Sequence, residues 1–486
     1  MLRFAVLAVL LAGARAPEEA FLHRTLDLSL GESAEAELPG GKVRVKLIDL
    51  NEIVDEVNGS VRRAEVKVEV NGETGTLVSG TYHLPIALGG AQVDAPITKG
   101  YLVKARKNVW GLKKDARIRV WPAGSPMIPP GTFVYPAKQR WFATYTQFGN
   151  EPTYVDGGDE PNKKDTYYHY GFDIGGSEGL VDVVAATDGL VVSSGKEVLA
   201  GHEKDTPVDK RYDVIYLMDD RGWYYRYSHL KFFEDWVRPG VRVKIGQKLG
   251  VLGKEGGSGG WTHLHFDITK RQPSGDWGIE DGYAFLWEAY RKERAPKIVA
   301  IARPHHLIWS GQKIALDASQ SFGRDLAFEW TFTEGGSARG AKVERTYGKP
   351  GVYAETVKVT DGEGRVDYDF AVVHVMDKEH PAVMPPSIHA NYAPTFGIRP
   401  DDPVTFKVRS FRTKEPGETW DFGDGTPPVT VKSDGNADQH APNGYAEAIH
   451  KYAKPGHYLV KVENVTSAGV RAVARLQVRV GPDPKP

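Results

Sequence analysis

The sequence predicts a mostly all-β, multidomain protein. Three observations carry this. Stretches such as Lys42-Val-Arg-Val-Lys-Leu-Ile48 alternate polar and apolar residues, the period of two that a half-buried strand requires. Glycine (54) and proline (31) are abundant beside many aromatics, which suits strands joined by frequent turns. Tyr347-Gly-Lys-Pro-Gly-Val-Tyr353 and Tyr452-Ala-Lys-Pro-Gly-His-Tyr458 share the pattern Y-x-K-P-G-x-Y, so the C-terminal part is built from tandem copies. At about 150 residues per domain, a chain of 486 residues has room for roughly three domains.

Composition removes several classes of function. Lys+Arg (62) and Asp+Glu (63) nearly cancel, giving a formal charge of -1. This is not the basic field of a nucleic-acid binder, and there is no acidic tail. With 0 cysteines there can be no disulfide, thiolate metal site, cysteine nucleophile or lipid-anchor cysteine. The N-terminus reads as a signal peptide over residues 1–16: Arg3, a short apolar run from Phe4 to Ala12, and the A-x-A box Ala14-Arg-Ala16. Pro17 after the box is unfavourable for cleavage. The apolar run is too short to span a bilayer. The expectation is an exported, soluble mature protein, secreted or held in the periplasm or cell envelope, with no membrane span.

Residues 21–121 read as an N-terminal β domain. Besides the first strand, Glu65-Val-Lys-Val-Glu-Val70 alternates and is followed by Asn71-Gly72, a hairpin turn. Further strands are expected at 101–105 and 116–120. His83 is isolated, and no catalytic cluster stands out. The stretch 121–131 holds Pro122, Pro126, Pro129 and Pro130 and reads as a linker or extended edge segment. A central domain spans 133–292 and closes with Tyr283-Ala-Phe-Leu-Trp-Glu-Ala-Tyr290, which has few breakers and suits a short helix. The repeats define two β-sandwich modules, 296–378 and 385–482. Their tryptophans, in Phe328-Glu-Trp-Thr-Phe332 and Thr419-Trp-Asp-Phe-Gly-Asp-Gly425, are expected to pack between sheets. Asp421 and Asp424 suit turn chemistry better than a calcium site.

The chemistry lies in the central domain. It contains His169-Tyr-Gly-Phe-Asp173, Tyr227-Ser-His229-Leu230 and Trp261-Thr-His-Leu-His-Phe-Asp267. On a strand, His263 and His265 share one face while Leu264 and Phe266 take the other. Four imidazoles and one carboxylate exceed what a hydrolytic zinc site needs, which is three protein ligands and one open position. Two groups are then left for proton work. Spacing does not choose between His263 and His265.

HYGFDIGG, VVAATDGLVVSSG, YSHL, PGVRVKIGQKLGVLG and HLHFDI occur in the order seen in lysostaphin-like zinc metallopeptidases. The chain resembles that family over roughly 150 residues, and five ordered motifs are more specific than one. The resemblance implies a central antiparallel β-sheet peptidase domain of lysostaphin-like type. It implies His169, Asp173 and His265 as ligands of one zinc per chain, His263 as general base, and His229 steadying the attacking water or the oxyanion. It implies peptide hydrolysis in peptidoglycan cross-links or stem peptides, or in another extracellular peptide polymer. The C-terminal repeats resemble polycystic-kidney-disease (PKD) type domains, the second more closely than the first. The rival reading is a non-catalytic cell-envelope scaffold. The oligomeric state is left open.

Other residues near the motifs carry two readings. Tyr167, Tyr168, Tyr170, Trp223, Tyr224, Tyr225 and Trp261 are candidates for a substrate groove, but alternation buries every second strand position, so about half belong in the core. Asp267 suits either a bond that orients a histidine or a solvated strand end. The acidic loop at 156–162 resembles a calcium loop only loosely and reads better as solvated. His305 and His306 are expected to be exposed and inert. The turn ending in Gly259-Gly260-Trp261-Thr262 and the long polar segment before His169 depart from the family pattern.

Overall fold

A computed structural model describes residues 22–79, 82–149, 151 and 166–481. The signal-peptide segment and the acidic loop at 156–162 lie outside these described residues. Among the described residues the strands form sheets whose pairings are antiparallel, apart from short parallel contacts in the C-terminal half.

The N-terminal part folds as two four-stranded sheets, the second a meander that contains Gly41–Val54 and Val61–Val70. Their alternation places Val45, Leu47, Val66 and Val68 inward, against Val93, Ile118 and Val120 of the other sheet. The strand expected at 101–105 is a helical turn, Gly100–Val103. A short apolar run has no decisive period. Here a tertiary contact decides: Glu52 Oε1 accepts the Gly100 amide at 2.9 Å, and the Tyr101 ring packs on Tyr168 at 5.4 Å.

The proline-rich stretch is not a free linker. Trp121 is fully buried and donates to Met127 O at 2.9 Å. Glu288 Oε2, on the helix Tyr283–Arg294, accepts the Met127 and Ile128 amides. These contacts join the N-terminal domain to the large aromatic core under the central sheet.

That central sheet has nine strands among the described residues. Its main path runs Glu197–Val198, Gly189–Ser194, Ile215–Met218, Tyr224–Ser228, His263–Arg271, Phe172–Gly175, Thr146–Phe148. Leu264, Phe266 and Ile268 face the core and are fully buried, so the odd positions 263, 265 and 267 share the other face.

The two C-terminal sandwiches share a sheet. The strands Gly351–Thr360 and Arg471–Val480 pair in parallel at Gly351↔Arg471 and Val352↔Ala472. Trp330 and Trp420 are each fully buried in the hydrophobic core of their module, as the sequence predicts. Asp421 Oδ1 accepts the Gly423 amide and Asp424 Oδ1 the Thr426 amide, which is turn chemistry. His305 corrects the expectation of an exposed residue. It is buried, its amide donates to Glu151 Oε1 at 3.0 Å, and its ring stacks on Tyr145 at 5.0 Å. His306 is half-buried.

His389, on Ser387–Ala393, is fully buried, and burial lowers its pKa from 6.5 to about 3. Between these values the unfolded chain binds more protons than the folded one. Stability is therefore full above pH 6.5 and falls as the pH drops, by about 1.4 kcal/mol per pH unit from this residue. Thermal melts at pH 7 and pH 5 are expected to show a lower Tm at pH 5, and His389→Gln should narrow the gap. An unchanged gap refutes the assignment.

Candidate active site

Strand register builds the site. Asp173 lies directly opposite His265, and Gly175 opposite His263, on the paired strands Phe172–Gly175 and His263–Arg271. Directly opposed side chains on one sheet face have Cβ atoms about 5 Å apart, close enough to meet. Ser228 opposes His265 from the other neighbouring strand, so His229 follows just beyond that strand's end. His229 has φ +67, a left-handed conformation costly for a residue with a Cβ. Its amide is held by Asp213 Oδ2 at 3.1 Å.

His169 precedes its strand, and Gly171 carries the chain across. Gly171 has φ +75, and a Cβ there would meet Phe266 O at 2.6 Å. Only glycine fits that approach. His169 Nε2 and His265 Nδ1 both lie 2.9 Å from Asp173 Oδ1 and 3.3 Å from each other. His263 Nε2 lies 3.4 Å from the same oxygen. All four groups and His229 are buried.

The cluster has the spacing of a metal site. One ligand atom from each of His169, Asp173 and His265 lies within 4.8 Å of the others. Atoms bound about 2.0–2.1 Å from a tetrahedral metal stand about 3.3 Å apart, close to the distances found. Two imidazoles and one carboxylate leave one position open.

The tautomers follow from neighbours. His265 Nε2 lies 3.0 Å from Asp267 Oδ2, which holds the proton there and leaves Nδ1 for the cluster. Asp267 is thus the buried carboxylate that orients His265. His263 Nδ1 lies 3.1 Å from Trp261 O, and His229 Nδ1 lies 2.6 Å from Glu255 O. A carbonyl only accepts, so both imidazoles carry the proton on Nδ1 and present Nε2 as acceptor.

The electrostatics agree. Burial disfavours charge on Asp173, but the surrounding imidazoles outweigh it and hold the carboxyl well below the usual range. Burial also opposes protonation of His265, yet its hydrogen bonds to Asp173 and Asp267 raise its pKa. Burial keeps His263 well below its ordinary value, although Asp173 pulls the other way, and it lowers His229 too. His263 and His229 are therefore neutral at pH 7.

The predicted aromatics divide. Tyr225 and Trp223 are buried in the core under the sheet, and Tyr224 packs on Trp277 at 5.2 Å. Tyr170 reaches the site, with its ring 5.4 Å from His265 and its hydroxyl accepting from Arg226 Nη1 at 3.3 Å. Trp261 stacks on His263 at 3.8 Å. Tyr167, Tyr168 and Tyr170 line a cleft of about 240 Å3 together with Tyr101 and Trp110 of the N-terminal domain. Sequence reasoning missed Asp213 and Arg226. Each acts on a motif residue through tertiary packing, so no local pattern marks them.

A model of peptidase family M23 matches residues 167–276, the stretch that contains this cluster. PKD-domain models match residues 293–375 and 389–479, so the chain carries an M23 peptidase domain followed by two PKD domains. Among solved structures, it is similar to the catalytic domain of the prophage-encoded M23 protein EnpA from Enterococcus faecalis, at 20% identity over 26% of this chain and 92% of that one, TM-score 0.18. It is similar to Csd3 from Helicobacter pylori at 18% identity, covering 48% of this chain and 56% of that one, TM-score 0.22. It is also similar to a zinc-containing peptidase from Vibrio cholerae at 14% identity over 50% and 85% of the two chains, TM-score 0.21.

Proposed function

We propose that the protein is an exported zinc metalloendopeptidase that hydrolyses peptide bonds in peptidoglycan cross-links or stem peptides. The observation that carries this reading is the shared focus of His169 Nε2, His265 Nδ1 and His263 Nε2 on Asp173 Oδ1. His169, Asp173 and His265 would hold one zinc ion. Bound there, zinc supplies Lewis-acid activation of water and of the scissile carbonyl at neutral pH.

The chain's own residues supply the proton chemistry. His263, neutral and fixed by Trp261 O, accepts a proton at Nε2 and returns it to the departing amine. The carboxylate of Asp173, 3.4 Å away, stabilises the imidazolium formed in between. His229 presents Nε2 as an acceptor beside this ring, with ring centroids 4.6 Å apart, and steadies the attacking water by accepting its hydrogen bond. The cleft beside Tyr170 offers aromatic walls and the cations Arg106 and Lys107, which suit a peptide bearing carboxylates. The signal-peptide segment supports export. No helix among the described residues is long and apolar enough to cross a membrane.

Mass spectrometry of material released from purified peptidoglycan tests the proposal. Peptide fragments with new amino termini are expected, their release stopped by a chelator and restored by zinc. A protein carrying about one zinc per chain that cleaves no peptidoglycan or glycine-rich peptide would overturn it.

A further inference from the structure

The turn that delivers His263 is held from outside its own domain. Some of its bonds are local: Gly260 N donates to Ser258 Oγ, Thr262 Oγ1 to Gly176 O at 2.7 Å, and His263 N to Gly253 O at 3.1 Å. Its central glycines are pliant. Gly259 and Gly260 have φ +68 and +87, and consecutive left-handed glycines give a turn with little stiffness of its own.

The second PKD domain supplies the missing restraint. Asn436 Nδ2 donates to Gly259 O at 3.1 Å, and Arg409 Nη1 to Gly260 O at 2.6 Å. Tyr445 OH accepts the Thr262 amide at 3.0 Å, and Asn391 Nδ2 donates to Thr262 Oγ1 at 3.1 Å. Three of these four side chains are themselves anchored. Arg409, fully buried, forks onto Asp434. Tyr445 OH lies within hydrogen-bond distance of His389 Nδ1, at 2.8 Å, and Asn391 Oδ1 accepts from Ser177 Oγ. Gly260 fits the contact closely: a Cβ would fall 2.0 Å from Asn436 Oδ1.

Trp261 completes the connection. One face of its ring lies on His263 at 3.8 Å and 17°. It also meets His389 at 5.1 Å and clusters with Phe411, both from the second PKD domain. The same indole thus touches the histidine assigned as base and the domain that packs behind it. Simple docking of two domains would need only apolar contact. Here a buried polar network converges on the backbone of one short turn.

We propose that Arg409, Asn391, Tyr445 and Asn436 are positioning residues for His263, so that the second PKD domain is part of the peptidase's working site. This rests on the reading of His263 as general base. Small displacements of a proton acceptor lower turnover steeply while leaving substrate binding in place. A spacer domain would influence stability alone.

Tyr445→Phe in the full chain tests this, since it removes one oxygen and keeps the buried ring. Expected results are a ten- to hundredfold lower kcat, KM within twofold, about one zinc per chain, and at least tenfold faster hydrogen exchange at the Thr262 amide. Tyr458→Phe is the control. It lies in the same domain, where its hydroxyl donates to Lys454 O, and it should change neither kcat nor exchange. Arg409→Lys, which loses the fork but keeps the charge, is expected to behave like Tyr445→Phe. Wild-type kcat in Tyr445→Phe overturns the proposal, as does a loss of kcat that merely tracks lost zinc. If the wild-type protein hydrolyses nothing, the functional reading fails. In that case the clamp is judged by exchange alone, and unchanged protection of Thr262 in both variants overturns it.

Discussion

Replacing His265 by alanine is expected to empty the metal site and end hydrolysis. His265 is the group most firmly built into it. Its Nδ1 lies 2.9 Å from Asp173 Oδ1 and its Nε2 is fixed by Asp267, so both nitrogens have one role each. Without it, only His169 and Asp173 remain, too few to hold zinc against water. Zinc measured on the purified variant should drop from about one per chain to below a tenth, with activity at background. A second effect separates this from a general loss of fold. A ligand bound only by the folded state stabilises it by about 2.7 kcal/mol at a concentration of one hundred times its Kd. A chelator should therefore lower the Tm of the wild-type protein and leave that of His265→Ala where it is. Full zinc in the variant would remove His265 from the ligand set.

His263→Ala is expected to give the opposite pattern. Its Nδ1 is committed to Trp261 O, and its Nε2 stands 3.4 Å from the oxygen that both ligand histidines touch at 2.9 Å. Loss of a positioned acid–base group costs about 10²–10⁴ in rate, or roughly 3–5 kcal/mol in the barrier. The zinc content should stay at about one per chain and KM should change little. Full activity in this variant would refute the role of base. Together the two substitutions separate the paired histidines, which a shared strand face alone cannot distinguish.

Much of this was legible in the sequence. The alternation around Leu264 and Phe266 placed 263, 265 and 267 on one face, and burial of the even positions is what the structure shows. The repeated Y-x-K-P-G-x-Y segments marked two sandwiches because each needs the same turn into the same long strand. What stayed hidden depends on distant parts of the chain. The run beginning at Tyr101 becomes helical because Glu52 caps it from another strand. His305 looked like a surface residue, yet Glu151 and Tyr145 enclose it. Asp267 allowed two readings until its partner His265 and the nearby Arg226 were in place. The departure at Gly259-Gly260 was visible, but its cause was not, since the groups that require it lie in another domain.

Those groups also set an order in time. The bonds from Gly260 to Arg409 and from Thr262 to Tyr445 span 149 and 183 residues of chain. At about 5–20 residues per second, a ribosome needs roughly 10–40 s to make the longer span. For that interval the nascent chain carries the histidines of the cluster but lacks the groups that steady its turn. A chain cut short before Tyr445 would keep His169, Asp173, His263 and His265 but lack bonds that steady the turn before His263. The segment bearing His263 and His265 is therefore synthesised well before the groups that hold its turn.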